Sequence, residues 1–243
     1  MSPGLFFETR QMSIGALIVA AGRGTRLGAK DAKAFVDLAG TSMLVRSVCA
    51  ITSAVPVESM VVVVPAGQTE RAEDLVRQVL RPGLDCVFVA GGEERQESVR
   101  NGLDVLAQKC DVVLVHDAAR PLVPRSVVGE CIRVASEKGA AIAALPSTDT
   151  LKEVSEEGQV VRTLDRARIW TVQTPQAFRV KILCNAHARA AAEGFSATDD
   201  AALVERYGGS VWAVRGDPRN RKITTPEDLA WARCLLESET GPR

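Results

Sequence analysis

Short apolar runs alternate along most of the chain with stretches whose apolar residues recur at helical spacing. The strand candidates are Ala16–Ala21, Met60–Val64, Cys86–Ala90, Val112–His116, Ala140–Leu145 and Val211–Val214. Their apolar residues follow one another almost without polar interruption, which suits strands covered on both faces. Helical patterns lie between them at Met43–Ile51, Thr69–Leu80, Gln96–Gln108 and Ser126–Lys138. This alternation predicts βαβ units and an α/β fold, a Rossmann-like and mostly parallel sheet flanked by helices.

Three segments depart from the rhythm. Met1–Ser13 has no clear period and reads as a loose leader to one domain spanning 14–238. Residues 147–170 are polar, with β-branched runs at Thr150–Val154 and Gln159–Leu164 on either side of Glu157-Gly158. That pattern predicts a hairpin arm projecting from the sheet. Near the C-terminus, Thr225-Pro226-Glu227-Asp228 reads as a helix start. Thr225 would be the cap, Pro226 the first helical residue and Asp228 the partner in a capping box.

Composition narrows the function classes. Thirty basic and thirty acidic side chains cancel, so nothing suggests a protein that holds nucleic acid by bulk charge. The longest apolar runs fall far short of the roughly 20 residues a membrane span needs. No export signal opens the chain, and the expected location is the cytoplasm. The six cysteines are scattered without a C-x-x-C pair, so they read as buried, reduced thiols rather than zinc ligands or a redox couple. With only His116 and His187, histidine-based chemistry has little material. His116 reads as a packed strand-end residue, and His187, in a polar helical stretch, receives no role.

Chemistry gathers after the first strand. Ala20-Ala21-Gly22-Arg23-Gly24-Thr25-Arg26 places two glycines where a ligand meets the carboxyl end of a strand. Arg23, Arg26, Lys30 and Lys33 follow closely, opposed only by Asp31. Backbone N–H groups beside a basic cluster suit a polyphosphate. Neither a dinucleotide fingerprint nor a Walker A loop fits, because Leu27 replaces the third glycine of the first and Gly28-Ala29-Lys30-Asp31 lacks the G-K-[ST] of the second. A glycine-rich turn with solvated basic residues is the competing reading of the spacing alone.

Further blocks follow in order: Gly91–Val99, His116-Asp117-Ala118-Ala119-Arg120-Pro121, Thr148-Asp149-Thr150, Thr174-Pro175-Gln176, Thr198-Asp199-Asp200 and Lys222-Ile223-Thr224. Together with the glycine loop they resemble the 2-C-methyl-D-erythritol 4-phosphate cytidylyltransferase family of the non-mevalonate isoprenoid pathway. The chain departs from the family pattern at Ala32 and Ala34, where proline and glutamine are usual, and at Glu93, where aspartate is common.

The resemblance implies a nucleotidyltransferase fold and a set of roles. Arg26 and Lys33 would stabilise charge on the α-phosphate of CTP, and Ala20, Ala21, Gly22 and Gly24 would approach the triphosphate. Gly92, Glu93 and Ser98 would read cytosine, and Ala118 would offer main-chain groups. Asp117 would bind ribose or polyol hydroxyls. Arg120, Thr150, Thr174 and Thr198 would complete the acceptor pocket, with Lys222 and Arg166 gripping the acceptor. Glu94 and Arg95 are ion-pair formers without an assigned role. Mg²⁺ is expected through the CTP phosphates, with no dedicated protein metal site. A homodimer is expected through the arm, whose Arg166 would enter the neighbouring subunit's site. A ribitol 5-phosphate cytidylyltransferase and a nucleotide-binding regulator without turnover are the alternatives.

Overall fold

The computed structural model describes residues 12–22, 24, 27 and 32–240. A seven-stranded sheet forms its centre, built from β1 (Ile14–Val19), β4 (Ser59–Val64), β5 (Asp85–Ala90), β6 (Val112–Asp117), β7 (Ala140–Pro146), β10 (Trp170–Arg179) and β11 (Trp212–Arg215). The order across the sheet is β11-β7-β10-β6-β1-β4-β5. All pairings are parallel except those of β10, which runs antiparallel to both β6 and β7. The central strands are unbroken apolar runs because both faces are covered: every residue of β4 and β6 is buried.

Helices α1 (Met43–Thr52), α2 (Thr69–Arg77) and α4 (Arg125–Lys138) pack on one face. Helices α3 (Arg95–Leu106), α5 (Val180–Glu193) and α6 (Asp200–Arg206) cover the other. The last helix, α7 (Pro226–Thr240), sits with Leu38 and Met43 in a smaller cluster beside a two-stranded ribbon, β2 (Asp37–Leu38) and β3 (Thr41–Ser42). Its start is the reciprocal cap expected from sequence. Asp228 Oδ2 accepts from the Thr225 N–H at 3.0 Å, and Thr225 Oγ1 accepts from the Asp228 N–H at 3.3 Å.

The arm is present as β8 (Lys152–Val154) and β9 (Val160–Thr163), a two-stranded sheet separate from the main one. Gly158 turns between them at φ +87°, a conformation that only glycine enters without strain. Val154, Val160 and Val161 are all more than half exposed.

Strand β10 and α6 were absent from the periodicity reading, which touched α5 only as a polar helical stretch around His187. Ala177 and Phe178 of β10 are fully buried, but Gln173, Thr174, Pro175 and Gln176 interrupt the apolar run. Those polar residues occupy a register shift between Val172 and Gln176 that includes a cis Thr174–Pro175 bond. The thiols also differ in part from expectation. All six are free, yet Cys234 is exposed on α7 and only Cys86, Cys110 and Cys131 are buried.

Candidate active site

Strand order reverses at β1: the chain passes outward through β4 and β5, then returns to place β6 on the other side of β1. A crevice opens at such a switch point beyond the carboxyl ends of the strands. Three backbone bonds stitch its floor, Ala20 N–H to Val63 O at 2.7 Å, Gly91 N–H to Val64 O at 2.8 Å and Ala118 N–H to Val19 O at 2.9 Å.

The resulting cavity, about 240 Å³, is lined by Ala20, Ala21 and Gly22 on one side and by Gly92, Glu93, Arg95 and Ser98 on another. Lys33, Asp117, Ala118 and Lys222 complete it. A second cavity of about 280 Å³ abuts the first and shares Arg95, Asp117 and Lys222 with it. Arg120, Gln173, Thr174, Gln176 and Thr198 line this second space.

The loop glycines serve different ends. A Cβ on Gly22 would meet nothing within 4 Å, so this residue leaves open space at the cavity. Gly24, at φ +65°, lies against Lys33, where an added Cβ would fall 2.4 Å from the lysine Cβ. It does not line the cavity; it buttresses a residue that does. Arg26 lies outside the described residues.

The turn before α3 is closed by its own side chains. Ser98 is buried, accepts from the Gly92 N–H at 3.2 Å and donates to Glu94 O at 3.1 Å. Glu97 Oε2 takes the Glu93 N–H at 2.8 Å. Ser98 thus shapes the segment as well as lining the cavity, where Glu93 keeps an exposed carboxylate. The main-chain groups of Ala118 also have partners within the fold. Its N–H is engaged by Val19, and its carbonyl accepts the Ser47 hydroxyl at 2.8 Å.

Asp117 is the electrostatic centre. Arg95 Nε reaches its Oδ1 at 3.1 Å and Lys222 Nζ its Oδ2 at 2.7 Å, and the residue lines both cavities. Burial opposes ionisation of this carboxyl, but Arg95, Lys222 and Arg120 outweigh it and hold the group well below the carboxylate range. Thr174 Oγ1 accepts the Asp117 N–H at 3.0 Å and pairs with His116 Nδ1 at 3.1 Å, which fixes it inside the fold. His116 is fully buried, its pKa lowered by that burial to about 4, and it has the packed strand-end position expected of it. Arg120 gives Nη1 to Asn220 O at 2.7 Å and Nη2 to Val172 O at 3.4 Å, so the wall it forms is rigid.

Two expected site residues lie elsewhere within the chain. Thr150 and Arg166 are exposed on the arm and line neither cavity; Arg166 donates Nη1 to Thr148 O at 2.8 Å. Arg95, in contrast, sits between both cavities with Asp200 as its second carboxylate, Nη1 to Oδ2 at 2.7 Å. His187, read as part of a polar stretch, is buried and pairs with Asp200 Oδ1 at 3.1 Å. The Thr198-Asp199-Asp200 block carried the available signal for Asp200. Nothing local in the sequence marks Asn220, whose buried amide donates to Thr174 O at 2.7 Å.

The chain is similar over most of its length to known proteins of one family. The family model for 2-C-methyl-D-erythritol 4-phosphate cytidylyltransferase matches residues 14–238. A protein of that name from Rhodococcus jostii is 47% identical over 223 residues, covering 91% of this chain and 94% of its own. One from Pelotomaculum thermopropionicum is 42% identical over 228 residues, covering 94% and 96%. The crystal structure of a 4-diphosphocytidyl-2C-methyl-D-erythritol synthase from Anaerococcus prevotii superposes with a TM-score of 0.83 at 28% identity, covering 93% of this chain and 96% of that one.

Proposed function

This chain belongs to the 2-C-methyl-D-erythritol 4-phosphate cytidylyltransferase family, and we propose from its two abutting cavities how it joins CTP to 2-C-methyl-D-erythritol 4-phosphate. The observation that carries the reading is the shared wall: Arg95, Asp117 and Lys222 face both spaces, so ligands in the two cavities meet at one place. CTP occupies the space beside Ala20–Gly22, Lys33 and Gly92–Ser98. The acceptor occupies the space beside Arg120, Thr174 and Thr198, with its phosphate near Lys222.

A phosphate oxygen of the acceptor attacks the α-phosphorus of CTP, and the bond from that phosphorus to the bridging oxygen of pyrophosphate breaks. The acceptor phosphate is already ionised near neutral pH, so no side chain has to remove a proton. That agrees with a neutral, buried His116. Lys33 and Arg26 neutralise the charge that grows on the non-bridging oxygens, where fixed cations act more strongly on the transition state than on the bound substrate. Mg²⁺ would be held chiefly by the CTP phosphates and would supply further charge neutralisation. The acidic side chains at the CTP cavity fit that division, since both Asp117 oxygens already hold cations and Glu93 and Glu94 remain.

The arm supports a shared site. Val154, Val160 and Val161 on the arm are exposed, as are Trp170 and Val172 on β10, and an isolated two-stranded sheet is marginal in water. A second copy of the chain would cover this surface and receive Thr150 and Arg166 at its acceptor cavity. The reading keeps the protein in the cytoplasm with small-molecule partners, neither nucleic acid nor membrane; no described helix is long and apolar enough to cross a bilayer.

Incubation with CTP, Mg²⁺ and the acceptor tests the reaction. Mass spectrometry should find 4-diphosphocytidyl-2-C-methyl-D-erythritol and one pyrophosphate per product. Binding of CTP with no pyrophosphate released would indicate a regulator instead.

A further inference from the structure

Five side chains from separate segments form one continuous polar chain that begins behind the shared wall and runs into it: His187 on α5, Asp200 on α6, Arg95 on α3, Asp117 on β6 and Lys222 in the loop before α7. Asp200 and His187 are 1% and 3% exposed and line neither cavity. Arg95 is held by carboxylates on two sides, through Nη1 and Nε, and its buried Nη2 has no hydrogen-bond partner among the described residues. Lys222, 41% exposed, is the end of the chain that reaches solvent and the acceptor cavity.

Charge decides what the arrangement does. Asp117 and Asp200 carry two negative charges and Arg95 and Lys222 two positive ones. Asp117 divides its attraction between two cations, so Lys222 is only partly neutralised and retains attraction for an incoming phosphate. Without Arg95, the buried Asp117 carboxylate would keep Lys222 as its one direct ion-pair partner among the described residues, with Arg120 acting only through space, and an acceptor phosphate would have to compete for that ammonium. Lysine is no substitute at this place, because one ammonium cannot span the two carboxylates that the guanidinium fork bridges.

We propose that Arg95 is a positioning residue for acceptor binding: it holds Asp117 so that Lys222 stays available to the acceptor's phosphate, and Asp200 with His187 anchors Arg95 for that task. The inference rests on the assignment of the second cavity to the acceptor. A merely structural bridge between α3, α6 and β6 would lower stability, or affect both substrates alike. The positioning role affects the acceptor selectively, even from Asp200, which touches no substrate.

The test is steady-state kinetics of the full-length wild type, Arg95→Lys and Asp200→Asn, with each substrate varied in turn and thermal unfolding recorded alongside. The acceptor KM should rise about tenfold or more in Arg95→Lys, the scale of losing one hydrogen bond to a charged group. It should rise in the same direction in Asp200→Asn, where the residue lines neither cavity and the CTP KM should stay near wild type; in Arg95→Lys, where it lines both, the acceptor KM should rise by the clearly larger factor. Parallel changes in the two KM values, or a loss confined to kcat, in either folded variant would overturn the proposal. Should Arg95→Lys fail to fold, Asp200→Asn decides by the same split. No turnover by the wild type would remove the functional assignment itself, whereas normal wild-type turnover without the split removes only the role of Arg95.

Discussion

Substitution of Gly24 by alanine probes the loop where it meets Lys33. Two penalties follow from the geometry. Gly24 has φ +65°, and an alanine held in the left-handed region costs about 1–2 kcal/mol. The added Cβ would also lie 2.4 Å from Lys33 Cβ, against about 3.5–4.0 Å for relaxed carbon contacts. Lys33 must therefore retreat by more than about 1 Å, a misplacement that typically lowers a catalysed rate about a hundredfold. Stability should suffer less, with a Tm decrease of roughly 2–8 °C for that strain in a chain this long. Steady-state pyrophosphate release and differential scanning calorimetry measure the two effects on one preparation. Gly22→Ala is the control, because its Cβ meets nothing within 4 Å. It should leave Tm unchanged and raise the CTP KM. A Gly24→Ala enzyme with near-wild-type kcat would refute the claim that the glycine fixes Lys33 for the reaction.

Three other outcomes are expected. Lys33→Ala and Arg26→Ala should each lower kcat roughly a hundred- to a thousandfold, with much smaller effects on CTP binding; a normal kcat in a folded variant, checked by circular dichroism, would remove that residue's role. Mixing Arg166→Ala subunits with Lys33→Ala subunits should restore activity, since a heterodimer would have one site carrying both lesions and one carrying neither; no recovery, or an active monomer in sedimentation, would contradict the shared site. Buried His116, with its pKa near 4, resists protonation in the folded protein while the unfolded chain takes up the proton below about pH 6.5. Stability should therefore fall by up to about 3 kcal/mol as pH drops from 6.5 to 4, above the range in which Asp117 and Asp200, both held low, lose their contribution. Urea midpoints at pH 7 and 4.5 should show this loss reduced in His116→Gln, and an equal loss in the variant would contradict it.

The framework was legible in sequence because covered strands are apolar nearly throughout: β1, β4, β6 and β7 each fall on such a run, and so does the half-buried edge strand β5. Strand β10 was not, since its polar Gln173–Gln176 stretch faces the site, and an antiparallel strand entering from an arm obeys no βαβ rhythm. The glycine loop, Lys33, Asp117 and Lys222 stood out as local clusters or motif blocks. What stayed hidden was pairing at long range. Arg95 meets Asp200 across 105 positions and Arg120 meets Asn220 across 100, and no periodicity encodes such a contact. The same limit hid the neighbours that the polar groups of Ser98 and Ala118 bind within the fold.

The central claim is that this site transfers cytidylyl to one particular polyol phosphate. Its most direct test is kcat/KM for pyrophosphate release, measured with CTP against 2-C-methyl-D-erythritol 4-phosphate and ribitol 5-phosphate, and with ATP and GTP replacing CTP. The highest value should come from CTP with 2-C-methyl-D-erythritol 4-phosphate, with little release from either purine nucleotide. Faster turnover of ribitol 5-phosphate, or equal use of ATP, would contradict the assignment.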